Sequence, residues 1–570
     1  KKEAGIADLP TKNKITFFSA MLMACGSSIG AGIFFKSKGV LSNAGGSLVF
    51  AILAWVVAAF AVMMMALALM EIASARNDNL SLIGWCKVFN GRAIYKASKV
   101  LMVYIYHPFT FFFMPLYVIM SMQDGIAYLG FNYETYEYLA VDFGAGQANW
   151  VIWLIISLVI SFYFIYICGL FPKIGDIQNK VFLGAKFIPL VATMVLGIIV
   201  TVAQGAKVSA APVLPGGDIA SATNPYSFAG MSPVLGMFIA IGAIFFAYDG
   251  FYTTAGIQTE MREPERTPLA IVLGLGLTTV VYLLIAIFTS ITGNGSILGF
   301  ENYLYANKSM WVLGVMNVLI SIGVFGIINA YCMWSPRFFE DLIADGELPL
   351  SEKYIGKLNP HKPIVGVNYC ATIAIPAAIL FTVIGATAYR VDTSGYGGIY
   401  YDGASYCDWD WQPMVCIYNF CDITGTWTAV FAFVFLMTPI WGGLRNRKTN
   451  KIKVEKQKTF VWAAWSAVIV MGLVIAMLVI ECFVNFFILT QLWIGEPYHT
   501  AVYESIGGND GVVTRVMLFV LLLVFGGMML GIPVIEDLVH KKSYGSIEAY
   551  EKHIKQLKHA NSFYADAIEY

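Results

Sequence analysis

Twelve apolar runs follow one another along this 570-residue chain, near 15–36, 47–73, 98–122, 149–171, 181–204, 233–257, 269–293, 311–335, 364–388, 425–444, 460–490 and 512–535. Each is long enough to cross a hydrocarbon layer of about 30 Å as a helix. In lipid, every backbone N–H and C=O must be satisfied within the protein, so runs of this length fold as helices. The expected fold is therefore an all-α polytopic membrane protein with about twelve transmembrane helices. Charged residues make up only 13% of the chain, against roughly a quarter in soluble proteins. No charged n-region and cleavage site precede the first run, so no removable signal peptide is expected. The nine cysteines form no C-x-x-C pair and no zinc or haem spacing, so neither metal nor cofactor is expected. No nucleic-acid partner is expected either.

The basic residues orient the spans. With the N-terminus inside, the inner segments carry 29 of the 36 lysines and arginines, and the outer ones six: Lys36, Lys38, Lys207, Lys308, Arg390 and Arg515. Lys186 lies within a span. This skew is the positive-inside pattern, which puts both termini in the cytoplasm and makes the cell membrane the expected location. Arg445-Asn446-Arg447-Lys448 through Lys458 reads as a basic inner linker, whereas Glu134, Glu137 and Asp142 share an outer loop that has no lysine or arginine. A long outer loop, about 389–424, contains Cys407, Cys416 and Cys421; on an oxidising face two of these could pair. Beyond Lys541 the tail reads as a charged helix without evident chemistry.

The first ten spans divide into two fives, 15–204 and 233–444, between an N-terminal segment 1–14 and a region 445–538 holding the linker and the last two spans; 539–570 is the tail. Five spans per half force the second half to enter the membrane upside down. In transporters built this way, the first helix of each half is interrupted near the midplane, and its freed backbone holds the substrate. Glycines interrupt the matching spans here: Gly26, Gly30 and Gly32 in the first, Gly242, Gly250 and Gly256 around Asp249 in the sixth. Gly26-Ser27-Ser28-Ile29-Gly30 also fits the G-x-S-x-G of serine hydrolases, but that elbow needs a strand-to-helix turn with a histidine and an acid nearby. Ser28 sits inside a helical span, and His107 is the one histidine that does so too. A small-residue seam between helices explains Gly26 but not Gly30-Ala31-Gly32. Glycine costs about 1 kcal/mol against alanine in a helix, so three within seven residues mark weak helix continuity. Freed N–H groups and helix-dipole ends there suit a carboxylate.

The motifs around these glycines carry a family resemblance. Gly30-Ala31-Gly32-Ile33-Phe34 is similar to the G-x-G-I-F of the first helix in permeases of the amino acid–polyamine–organocation (APC) superfamily. Phe245-Phe246-Ala247-Tyr248-Asp249-Gly250-Phe251 resembles the F-A-Y-x-G-[FW] of their sixth helix, and Thr259 through Pro268 their E-E-x-x-N-P-x-R-x-x-P, with Glu263 where asparagine is usual. Ser335-Pro336-Arg337 and Asp345-Gly346-Glu347-Leu348-Pro349 resemble the eighth helix and its following loop. The resemblance covers about 15–444 and implies a LeuT-type five-plus-five inverted repeat working by alternating access. It implies that backbone N–H groups around Gly30, Ala31, Gly32 and Ile33 hold the substrate carboxylate, and that carbonyls of Phe246, Ala247 and Asp249 take its ammonium. It also makes Phe246 or Tyr248 an aromatic gate. The same chemistry follows from the residues, since a zwitterion needs donors at one end and acceptors at the other.

Charges inside spans cost at least about 2.5 kcal/mol each by insertion scales and need a reason. Lys186, a few residues into the fifth run, reads either as a lysine snorkelling to the inner interface or, by the resemblance, as the ammonium that stands in for a sodium ion in sodium-independent members. Asp249 reads either as a carboxylate accepting local backbone N–H groups at a helix break or as a counter-charge for a cationic substrate; the resemblance of A-Y-D-G to carriers of basic amino acids implies the second. His107 reads either as a packing histidine or as a titratable group near the site that could relay protons. The expected function is secondary active transport of amino acids, proton-coupled or by exchange, favouring cationic ones. A polyamine carrier and a non-transporting receptor of the same fold are the alternatives. Enzyme motifs with supporting context are absent. The expected partners are the amino acid, the bilayer, and a proton or counter-substrate.

Overall fold

A computed structural model describes residues 16–18, 21, 25, 29, 32–75, 80–139, 143–206, 226–252, 263, 266–292, 295–359, 362–390, 413–490, 496–506 and 508–561. Among them are no strands, and ten helices are long and apolar enough to cross a membrane. In chain order the main helices are α1 (Gly32–Asn43), α2 (Leu48–Ala73), α3 (Arg92–Leu129), α4 (Asn149–Cys168), α5 (Pro172–Gln204) and α6 (Pro233–Tyr248). They continue with α7 (Thr267–Thr292), α8 (Trp311–Ala344), α9 (Ile364–Thr387), α10 (Pro413–Thr449), α11 (Phe460–Thr490), α12 (Gly508–Tyr544) and α13 (Ile547–Ala560). Of the first twelve, the two that fall short of a span, α1 and α6, belong to the first and sixth apolar runs. The number twelve thus holds for apolar runs, and ten for long helices among the described residues.

The five-plus-five relation appears in the packing, where α1 lies on α6, α2 on α7, α3 on α8 and α4 on α9. Helix α3 is the most buried long helix, and α12 is among the least. Glycines let α3 and α8 cross closely: a β-carbon on Gly314 of α8 would stand 2.9 Å from the Leu129 amide nitrogen, and one on Gly125 of α3 would stand 3.1 Å from that of Val318. Small residues let membrane helices approach this closely.

Several helices outrun their apolar cores. Helix α5 starts nine residues before the apolar run at 181, so Lys186 lies fourteen residues in, about 20 Å along the axis. Helix α3 continues past 122 to Leu129, and α10 starts at Pro413 rather than near 425. The outer loop expected over 389–424 is therefore shorter. Cys416 and Cys421 are buried on α10, which corrects their placement in an outer loop. Cys407 lies outside the described residues.

The tail is the other departure, because it docks. Lys558 of α13 donates to Asp345 Oδ1 at 2.8 Å and Lys87 donates to Oδ2 at 2.9 Å. Tyr550 Oη donates to the Gly346 carbonyl at 2.7 Å, and Asn561 Nδ2 to the Ile355 carbonyl at 2.7 Å. Ile554 packs on Gly346, whose φ of +72° suits the turn that ends α8. Asp345-Gly346 of the eighth-helix motif thus anchors the tail. Burial alone would raise the Asp345 carboxyl, but Lys87 and Lys558 together hold it below its ordinary value. A depressed folded value means that this contribution is complete above the unfolded pKa of about 3.9 and is lost as pH falls through the folded one. Asp345→Asn is expected to release α13 at neutral pH without unfolding the bundle. Hydrogen exchange over 547–561 checks this: unchanged protection in the variant would show that the apolar and backbone contacts suffice.

Candidate functional site

Helix α6 starts on a built cap. Ser232 accepts from the Val234 amide at 3.3 Å, and Pro233 occupies the first helical position, where no N–H is missed. It stops at Tyr248, after which Asp249 turns to ψ 143° and Gly250 to φ +94°, a conformation that glycine adopts without a β-carbon penalty. Ile29 lies outside any helix, and α1 begins at Gly32. The two interruptions abut, since a β-carbon on Gly32 would stand 2.8 Å from Ala247 Cα. Gly32 and Ile33 are both buried. Gly26, Ser28, Gly30, Ala31, Gly256 and 253–262 lie outside the described residues.

The groups expected from sequence divide between this junction and its surroundings. The Ala247 carbonyl accepts from Tyr282 Oη at 3.1 Å, and the Phe246 carbonyl from the Asp249 amide at 3.4 Å. Each keeps a second lone pair. Asp249 accepts from the Gly250 amide on Oδ1 at 3.0 Å and from Tyr106 Oη on Oδ2 at 2.6 Å. Tyr106 closes a wider, π-type turn of α3, Leu101–Tyr106, an irregularity frequent at functional sites. Tyr248 is fully buried against Trp55 and Tyr282 with its hydroxyl 2.9 Å from Thr279 Oγ1. Lys186 donates to the Ile29 carbonyl at 2.8 Å, and its β-carbon packs on Gly323 of α8. It therefore links the first, fifth and eighth helices instead of reaching back to the start of its own. His107 is buried, with Nε2 3.1 Å from the Cys370 carbonyl and Nδ1 3.2 Å from Tyr331 Oη. Facing a carbonyl, Nε2 must carry the proton, and the neutral ring is satisfied on both sides.

A cavity of about 550 Å³ opens at the end of the bundle opposite α13. Along α1 and α6 its lining comes from one face between Phe34 and Asn43 and from Ile239 and Ala243, while Gly32 and Ala247–Gly250 do not reach it. Between the cavity and the helix breaks lies an aromatic layer. Phe35 stacks on Tyr117 at 4.7 Å, and the Phe246 ring stands 6.0 Å from Tyr117 and 5.8 Å from Phe113. Lys36 lies 4.6 Å above the Phe246 ring and is 2% exposed. Its ammonium pairs with Asp422 of α10 and donates to Thr426 Oγ1 at 2.9 Å. Further residues of this cavity escape a reading based on apolar cores alone: Asp422 and Asp124, both assigned to loops, and Lys36, counted as an outer-loop charge. The signal was present in the apolar residues beyond each acid, as in Asp124-Gly125-Ile126-Ala127-Tyr128-Leu129. Among the described residues no group of His, Cys, Asp and Glu could hold a metal ion.

A helical membrane bundle with two abutting helix breaks beside a cavity has the design of a solute carrier, and relatives give the class. A family model for amino acid permeases matches residues 15–506. The chain belongs to this amino acid permease family. An uncharacterized protein of Mycoplasma pneumoniae is 44% identical over 96% of this chain and 98% of its own. The serine/threonine exchanger SteT of Bacillus subtilis is 28% identical over 24% of this chain and 33% of its own. Among solved structures, MhsT in complex with L-phenylalanine aligns with 81% of this chain and 97% of its own at 13% identity, TM-score 0.49.

Proposed function

We propose that this permease is a secondary active transporter in the cell membrane, with both termini cytoplasmic, that moves amino acids by alternating access without sodium, coupled to protons or by exchange, and favours cationic substrates. The observation that carries the reading is the contact of Gly32 with Ala247: two interrupted helices meet backbone to backbone, where donors of one and carbonyls of the other grip a zwitterion. Gly30, Ala31, Gly32 and Ile33 supply the carboxylate end, and the second lone pairs of Phe246 and Ala247 supply the ammonium end, together with the Asp249 carbonyl. The Asp249 carboxylate, held by Gly250 and Tyr106, keeps the sixth helix broken. Phe246 is the gate between this site and the cavity, which faces outward in this orientation. Tyr248 supports the junction from behind.

Lys186 fixes the Ile29 carbonyl, a group that a bound cation would otherwise satisfy, and this supports sodium independence. Uptake into proteoliposomes is expected to stay the same when sodium is replaced by choline and to respond to pH or to amino acid inside. A rate that climbs with sodium at constant pH and membrane potential rules the assignment out. The function itself is tested by competing a panel of unlabelled amino acids and polyamines against one labelled amino acid. Inhibition by polyamines alone would favour a polyamine carrier, and binding without uptake would favour a receptor.

A further inference from the structure

We infer that Asp124 forms an outer waiting site for the positively charged group of a basic amino acid, separate from the helix breaks. The inference rests on the transport reading above and names the substrate class that the same path selects. Asp124 lines the cavity near the outer end of α3, is 9% exposed, and has a buried Oδ1 without a hydrogen-bond partner among the described residues. Burying a carboxylate with an unpartnered oxygen is costly, and a cation held on its cavity side offsets that cost.

The cations already in the cavity do not serve it. Lys36 is committed to Asp422, and Lys38 is exposed at the rim. Asn317, the amide nearest in kind, gives its Nδ2 to the Leu313 carbonyl at 3.0 Å. The side chain is also held in place by both chain neighbours. Gln123 accepts from Tyr418 of α10 at 2.6 Å, and Gly125 is wedged against α8. Helix α3 can therefore neither slide nor roll to take Asp124 out of the cavity. A fixed, buried acceptor favours a charge-assisted bond to an ammonium or guanidinium.

Its depth separates it from the breaks. Tyr117, on the aromatic layer, precedes Asp124 by seven residues, about 10 Å of helix rise. A basic amino acid entering from outside meets Asp124 before it meets the Phe246 layer. A neutral amino acid offers only its α-ammonium, tied to its own carboxylate, and gains less there.

Binding to purified protein, measured calorimetrically, tests this with lysine and with norleucine, which lacks only the terminal ammonium. Wild type is expected to bind lysine at least about 30-fold tighter than norleucine, the low end of what truncating one partner of a buried charge pair costs. Asp124→Asn should remove that advantage and leave norleucine unchanged, and Asp124→Glu should retain part of it. Equal affinities in wild type overturn the inference even if the variants fail to fold. A parallel loss for both ligands in Asp124→Asn overturns it too, because a structural or proton-carrying role predicts that result. Asp249→Asn, at the break, should weaken both ligands together. If wild type binds neither amino acid, the transport reading fails, and the inference falls with it.

Discussion

Gly32→Val is expected to abolish substrate binding while leaving a folded bundle. The β-carbon alone would stand 2.8 Å from Ala247 Cα and 3.2 Å from its Cβ. A backbone atom cannot rotate away, so α1 and α6 must separate. Overpacking of this kind costs about 1–3 kcal/mol of stability, which a membrane bundle of this size tolerates. Binding suffers more, because the donors of one break and the carbonyls of the other must hold one small zwitterion at once. A shift on the order of 1 Å in such a positioned pair of groups is enough for about a 100-fold loss. Gly32→Ala brings the first part of the clash and should fall between. Gly276→Ala on α7, where an added β-carbon meets nothing within 4 Å, is the matched control. Substrate-induced thermal stabilisation measures the effect. If it survives in Gly32→Val, the junction is not the binding site.

The junction was legible in sequence because glycine and aspartate are expensive inside a membrane helix, so their presence at matching places points to broken helices. Among the described residues, Ile29 is non-helical ahead of the helix that begins at Gly32, and α6 ends at Tyr248 before Asp249-Gly250. Side-chain direction was not legible. Tyr248 and Phe246 are two residues apart on one helix, and about 200° of rotation sends one into the α2–α7 packing and the other toward Lys36. Helix ends were misjudged for a single reason: hydropathy tracks the apolar stripe, whereas hydrogen-bonded helix continues through polar residues that face a cavity or a partner. That is how Asp124 and Asp422 came to look like loop acids, and how Lys186 looked shallow. The docked tail was illegible for a related reason, since α13 is amphipathic and its partners, Asp345 and Gly346, lie about two hundred residues away.

Asp422→Ala is expected to be the most damaging single change in the cavity wall. Lys36 is 2% exposed, and removing its carboxylate leaves an ammonium that holds only the residue-422 carbonyl, Thr426 and the Phe246 ring. Breaking a fully buried pair costs about 3–5 kcal/mol. The Asp422 side chain is 51% exposed, so solvent reaches the pair and the expected loss is smaller, about 2 kcal/mol. Lys36→Met alone should cost less, because a half-exposed aspartate can be hydrated where a buried ammonium cannot. Combining Lys36→Met with Asp422→Leu removes both charges and should restore most of the stability, since an apolar pair of similar volume carries no desolvation penalty. Transport separates the pair's two roles. The bond joins α1 to α10 across the cavity, directly above the gate ring, so the double variant should bind substrate normally and yet exchange it more slowly. Full recovery of exchange together with stability would mean that the pair only stabilises the fold. Melting curves and exchange rates on the two single variants and the double variant decide between them.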